Sequence, residues 1–139
     1  MTYKLIPRIY VDTSVFGGCF DPEFKIYSEK LFKDVHLGKK RIVLSDLLRF
    51  ELEEAPSYVK TLLNELPIEF IENVAMSEES VFLAEAYLRD LALSSKSLMD
   101  ARHIAIATIE KVDVLVSWNF KHIVNLRRIN LRASLIPKK

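Results

Sequence analysis

At 139 residues, half of them apolar, the chain can bury one core without disulfides and reads as a single domain over residues 1–139. Its one cysteine, Cys19, excludes an internal disulfide framework and a cysteine-built zinc cage, and fits a reducing cytoplasm. A formal charge of +1 excludes the strongly basic class that announces a nucleic-acid partner by composition alone.

In chain order, the first expected strand is Ile9-Tyr10-Val11, which runs into Asp12-Thr13-Ser14. Asp21-Pro22 reads as N-cap and first-turn proline of a helix with apolar positions at Phe24, Tyr27, Leu31 and Val35, stopped by Gly38. A second strand is expected over Arg41-Ile42-Val43-Leu44, and Ser45 caps a helix running through Leu48 toward Glu53. Pro56 begins a third helix that ends before Pro67, and Ile68-Glu69-Phe70-Ile71 reads as the third strand. Ser77, with Glu78 and Glu79 behind it, starts a fourth helix carrying Val81, Ala84, Leu88 and Leu91 on one face. Ser97 starts a fifth, whose Ile104, Ala107 and Thr108 recur at helical spacing up to Glu110. Val114-Leu115-Val116 and Ala133-Ser134-Leu135-Ile136 complete five strands. No linker, repeat or low-complexity tract divides the chain, and no apolar run approaches the roughly 18 residues of a membrane span. The amino terminus lacks a secretory pattern, so a cytoplasmic protein with no membrane is expected.

Strands alternating with helices imply crossover units and a mostly parallel sheet covered on both faces. In such sheets ligands sit beyond the carboxyl ends of the strands, where first helical turns also gather. Asp12 ends the first strand, Glu51 lies in the second turn after the second strand, Asp100 lies in a first turn, and Asn119 follows the fourth strand. Three carboxylates and an amide oxygen on one edge form a hard oxygen site suited to Mg²⁺ or Mn²⁺, and without a cation the carboxylates would repel one another. Each residue also has a structural reading: an Asx turn or helix cap at Asp12, a capping box between Ser97 and Asp100, a solvated helix face at Glu51, turn chemistry at Asn119. The joint placement on one edge favours the site.

The run YVDTSVF, the spacing in SDLLRFE and the segment LMDARHIAIATIEKVDVLVSWNFKHI, in this order, resemble a PIN domain, close to the VapC-type toxins of prokaryotic toxin-antitoxin systems. The resemblance covers nearly the whole chain and implies a Rossmann-like α/β/α sandwich with strand order 3-2-1-4-5. It places the family's acidic positions on Asp12, Glu51, Asp100 and, where the family usually has Asp, on Asn119. The hydroxyl pattern falls on Thr13, Ser14 and Ser117. The implied activity is Mg²⁺- or Mn²⁺-dependent hydrolysis of RNA, leaving a 5′-phosphate and a 3′-hydroxyl. Thr13 and Ser14 would orient the scissile phosphate and Ser117 would position Asn119. The resemblance also implies a protein antitoxin and a homodimer.

Asp113 is the last acidic residue, and Lys121, Arg127, Arg128, Arg132, Lys138 and Lys139 follow it. That basic end reads as a solvated surface or, through Lys121, Arg127 and Arg128, as contacts along an RNA backbone. Trp118 and His122 read either as base-stacking groups or, for Trp118, as core. Arg102 and His103 stay open between substrate contact and structural pairing. Gly17-Gly18-Cys19 has neither the spacing nor the lysine of a P-loop, and no dinucleotide fingerprint is present. The competing reading is a catalytically silent PIN-like scaffold that binds RNA or a protein, kept open by the uncharged Asn119.

Overall fold

The computed structural model of the protein describes residues 5–90, 97–119 and 133–135. Strands β1 (Arg8–Val11), β2 (Arg41–Ser45), β3 (Ile71–Val74), β4 (Val114–Ser117) and β5 (Ala133–Leu135) form one sheet in the order β3-β2-β1-β4-β5. Every pairing is parallel. Alternation along the strands divides the core. Ile9, Val11, Ile42, Leu44 and Val116 face one side, while Tyr10, Val43 and Leu115 face the other.

Helices α1 (Thr13–Gly17), α2 (Lys25–His36) and α4 (Ser57–Glu65) cover the first face with Val15, Phe16, Leu31, Phe32, Val35 and Val59. The second is covered by α6 (Leu98–Ile109), through Ile104, Ile106 and Ala107, and α5 (Glu78–Asp90) packs behind it through Ala84 against Ala101 and Ala105. Helix α3 (Asp46–Glu53) sits at the carboxyl edge of β2, sending Leu47 to one core and Leu48 and Leu52 to the other. Burying each such aliphatic side chain stabilises the fold by about 1.5–3 kcal/mol. The order of connections reverses between β1 and β4, which puts the switch point of the sheet between them.

Most sequence expectations match these elements, and three differ. The third strand begins at Ile71, because Ile68–Phe70 closes into a 3-10 turn in which Phe70 N donates to Pro67 O at 3.1 Å. That turn presses the Phe70 ring onto Gly38, where a Cβ would meet it at 2.8 Å; Gly38 also needs its φ of +73° to end α2. The first long helix begins at Lys25, since Asp21 is spent on the entry turn: its carbonyl accepts from Phe24 N and Lys25 N, and its Oδ1 from Glu23 N. Ser97 precedes α6 but makes no side-chain cap, so the Ser97–Asp100 capping box does not form. Phe16 and Phe24 are core, whereas Phe20 is half exposed against Tyr58.

Asp34, buried on α2, accepts from Lys40 Nζ and Lys30 Nζ at 3.0 Å each, tying the helix to the start of β2. The hydrogen bonds from Lys40 and Lys30 hold its carboxyl below the usual range. A depressed carboxyl contributes stability above its ordinary pKa and loses it as pH falls through the folded value. Asp34→Asn is expected to cost about 1 kcal/mol at neutral pH, given the solvent around the two ammonium groups. The deficit should shrink on acidification below the ordinary carboxylate range, as read by urea melts at several pH values.

Candidate functional site

The apolar strand β1 ends in Asp12 because its next residue starts α1. Asp12 is the N-cap: Oδ1 accepts from Ser14 N at 3.1 Å and from Ser14 Oγ at 2.5 Å. The register that pairs Val11 with Val116 brings Ser117 beside Asp12, and Ser117 Oγ donates to Asp12 Oδ2 at 2.6 Å. Cap and site are therefore the same carboxylate. Ser14 Oγ accepts from Trp118 N at 3.0 Å, and Ser117 Oγ accepts from Asn119 N at 3.0 Å, so the turn after β4 is pinned to the start of α1. The hydrogen bond of Ser117 falls on the Asn119 backbone.

Glu51 reaches the same edge from the second turn of α3. Its Oε1 accepts from Thr13 Oγ1 at 2.8 Å and meets His103 Nε2 at 2.6 Å. Behind it His103 Nδ1 meets Tyr10 OH at 2.6 Å, and Tyr10 OH meets Ser45 Oγ at 2.8 Å. Asp12, Thr13, Ser14, Glu51, Asp100 and Asn119 line one cleft of about 250 Å³, together with Met99 and His103. Six of the expected site residues thus share a cleft, with Ser117 buried behind it. Lys121, Arg127, Arg128 and His122 lie outside the described residues.

The carboxylates are in unlike states. Burial pushes the Asp12 carboxyl above the usual range, against hydrogen bonds from Ser117 and Ser14 that pull it down. Burial acts on Glu51 in the same sense, but the hydrogen bonds from His103 and Thr13 leave its carboxyl below the usual range. A buried carboxylate with a raised pKa is one whose charge a cation would relieve. The donor set is all oxygen, in a polar cleft at the switch point, and fits Mg²⁺ or Mn²⁺ better than a thiolate- or imidazole-seeking metal. No three His, Cys, Asp or Glu side chains are drawn to a common point among the described residues.

His103 and Tyr10 are the site residues that the sequence reading left unassigned. The sequence leaves His103 open between substrate contact and structural pairing, and the signal for the pairing is Tyr10, a tyrosine in an otherwise aliphatic strand. Trp118 is core: its ring stacks on Phe24 at 5.3 Å and 1°, and its Nε1 donates to Ser28 Oγ at 2.8 Å. A larger groove of about 440 Å³ lies away from the cleft, lined by Cys19, Phe20, Phe32 and Leu62 with Lys25 and Lys33 among its walls.

The strand order and the helix layers on the two faces of the sheet are those of a PIN fold. No protein-family model matches the chain, and no curated protein does. Solved structures do. A chain of VapBC2 from Rickettsia felis, solved bound to a DNA fragment from their promoter, overlays with a TM-score of 0.64 at 17% identity, over 92% of this chain and 98% of that one. VapC20 of Mycobacterium tuberculosis, a sarcin-ricin loop cleaving toxin, overlays at 0.58 and 14% identity, over 82% and 92%. A chain of a toxin-antitoxin complex from Klebsiella pneumoniae overlays at 0.59 and 16% identity, over 85% and 92%. At these identities the likeness is one of fold. Among the described residues no helix is long and apolar enough to cross a membrane.

Proposed function

We propose that the cleft hydrolyses RNA phosphodiesters with the help of a divalent cation, and that the chain is the toxin of a toxin-antitoxin pair. The observation that carries this is the convergence of Asp12, Glu51, Asp100 and Asn119 on one polar cleft at the sheet's switch point. Asp12 and Asp100 would hold Mg²⁺ or Mn²⁺, with Glu51 and the Asn119 amide oxygen completing the shell directly or through water. When bound, such an ion makes water more acidic and offsets the charge that builds on a phosphate. Ser14 and Ser117 hold Asp12 in place, and Thr13 holds Glu51. In this reading Thr13 and Ser14 border the scissile phosphate, the buried Ser117 acts from behind the cleft by holding Asp12 and the Asn119 backbone rather than touching substrate, and Lys121, Arg127 and Arg128 follow the RNA backbone as salt-sensitive contacts. One of the neighbours cleaves the sarcin-ricin loop and another was solved with its antitoxin, which supports both the substrate class and a protein partner.

The test is incubation of the purified chain with a pool of structured RNAs in Mn²⁺ or Mg²⁺, against chelator and against Asp100→Asn. Discrete cuts that vanish with chelator and in the variant are expected. Salt-dependent RNA binding without cutting in any ion would favour the silent scaffold. Asn119 is the feature behind that second reading, because an amide brings no charge. Asn119→Asp is expected to tighten Mn²⁺ binding about tenfold by calorimetry, since added ligand charge raises affinity for hard cations. An unchanged affinity would place its side chain away from the ion. The homodimer is checked by light scattering, which should return twice the mass of one chain.

A further inference from the structure

A line of hydrogen bonds runs from the first turn of α3, through β2, β1 and α6, to Glu51 in the second turn of the same helix. Leu48 N donates to Ser45 Oγ at 3.0 Å, and the line continues through Tyr10 OH and His103 to Glu51 Oε1. Tyr10 and Ser45 are fully buried, and His103 is 2% exposed. The donor inventory gives the line a direction. An ionised Glu51 only accepts, so Nε2 of His103 donates to it, and on the far side of the ring Nδ1 takes the Tyr10 hydroxyl proton. The Tyr10 oxygen then accepts from Ser45, whose oxygen takes the Leu48 N–H. No donor or acceptor along the line is left over.

This arrangement is costly as core. Tyr10 belongs to the cluster of Val43, Leu47, Ile104 and Leu115, and the His103 ring meets it edge-on, with ring centroids 5.7 Å apart. Phenylalanine and leucine would fill the same space without a hydroxyl and an imidazole whose polar atoms must be paired once buried. Glu51, by contrast, sits on a helix whose neighbours Arg49, Phe50 and Glu53 are exposed. Unheld, a glutamate there would spread over many rotamers, and ordering it costs side-chain entropy.

We infer that His103, backed by Tyr10 and Ser45, is a positioning residue that fixes the Glu51 carboxylate in the orientation the cleft uses. The inference rests on the ion-dependent reading of the cleft. Groups that orient a ligating side chain in this way typically account for about 10- to 100-fold in ion affinity or activity.

Three variants and three readouts test it. Nitrogen NMR of the ion-free protein, with the His103 signal assigned by its loss in His103→Gln, should show the proton on Nε2. Calorimetry with Mn²⁺ alone should show His103→Leu weakened about 10- to 100-fold and Tyr10→Phe weakened less. His103→Gln should recover most of the affinity, because its amide N–H reaches Glu51 from the same place. In single-turnover cleavage the rate at saturating RNA should fall in the same order while half-saturation by RNA stays put. A proton on Nδ1, or wild-type ion affinity and rate in both His103→Leu and Tyr10→Phe, overturns the positioning role and leaves ion-dependent cleavage standing. Wild-type protein that neither binds Mn²⁺ nor cuts RNA overturns both, and is recognised without any variant.

Discussion

Asp12→Asn is expected to yield a folded protein whose RNA cleavage is lower by about 10²- to 10³-fold, the usual scale when a group that offsets transition-state charge is removed. Folding should survive. The amide keeps one oxygen for Ser14, and the Ser117 hydroxyl can turn and accept from the amide nitrogen. The variant also carries a signature in stability. Burial raises the Asp12 carboxyl pKa, so the native state holds that proton more tightly than the unfolded chain. Its contribution is present below the ordinary carboxylate pKa and is lost as pH rises through the folded value. In the absence of divalent ion, Asp12→Asn should therefore gain on the wild type as pH rises from the carboxylate range toward neutrality. Mn²⁺ should stabilise the wild type and not the variant. Melting curves of both proteins, with and without Mn²⁺, check this, and an Asp12→Asn protein that cuts RNA normally would remove Asp12 from the chemistry.

Gly18→Ala is the substitution expected to damage the fold most. Gly18 follows α1 with φ −59°, which any residue adopts, so its role is space. A Cβ there would lie 2.5 Å from Ser28 Oγ and 2.6 Å from Trp118 Nε1. Neither neighbour is free to withdraw. Ser28 Oγ donates to Val15 O at 2.6 Å while accepting from Trp118 Nε1, and the indole is stacked on Phe24. Overpacking of this kind costs about 3 kcal/mol, equivalent to a fall in Tm of about 10 °C for a domain of this size. Because Trp118 lies between Ser117 and Asn119, the strain should reach the cleft: cleavage should fall even well below the melting point. Calorimetric melting and RNA cleavage measured on the same preparation test both halves. An unchanged Tm would mean that the helix α1 end moves aside as a unit.

The cleft was legible in the sequence because its parts obey one-dimensional rules. Asp12 and Asn119 end apolar strand runs, Asp100 opens a helix, and Glu51 stands one turn into another, so parallel topology alone sends them to one edge. The structural reading of Asp12 as a cap holds, and it does not compete with the site reading: the capping carboxylate also lines the cleft. What escaped was tertiary. His103 lies on the apolar face of α6, and only its meeting with Tyr10 from another element gives it a role. The third strand was misplaced by three residues because Ile68 and Phe70 alternate like strand residues, while the contact of Phe70 with Gly38 that holds the turn joins distant segments. The space demand at Gly18 comes from residues 10 and 100 positions away.

The central claim is that the carboxylates at the switch point hold a divalent cation. The most direct measurement is anomalous diffraction at the manganese edge from crystals of the wild-type chain grown in Mn²⁺. A peak in the cleft bounded by Asp12, Asp100 and Glu51, absent from Asp12→Asn crystals grown alike, is the predicted result. A cleft without a peak at Mn²⁺ concentrations that support RNA cleavage, or a peak elsewhere on the molecule, would contradict the account.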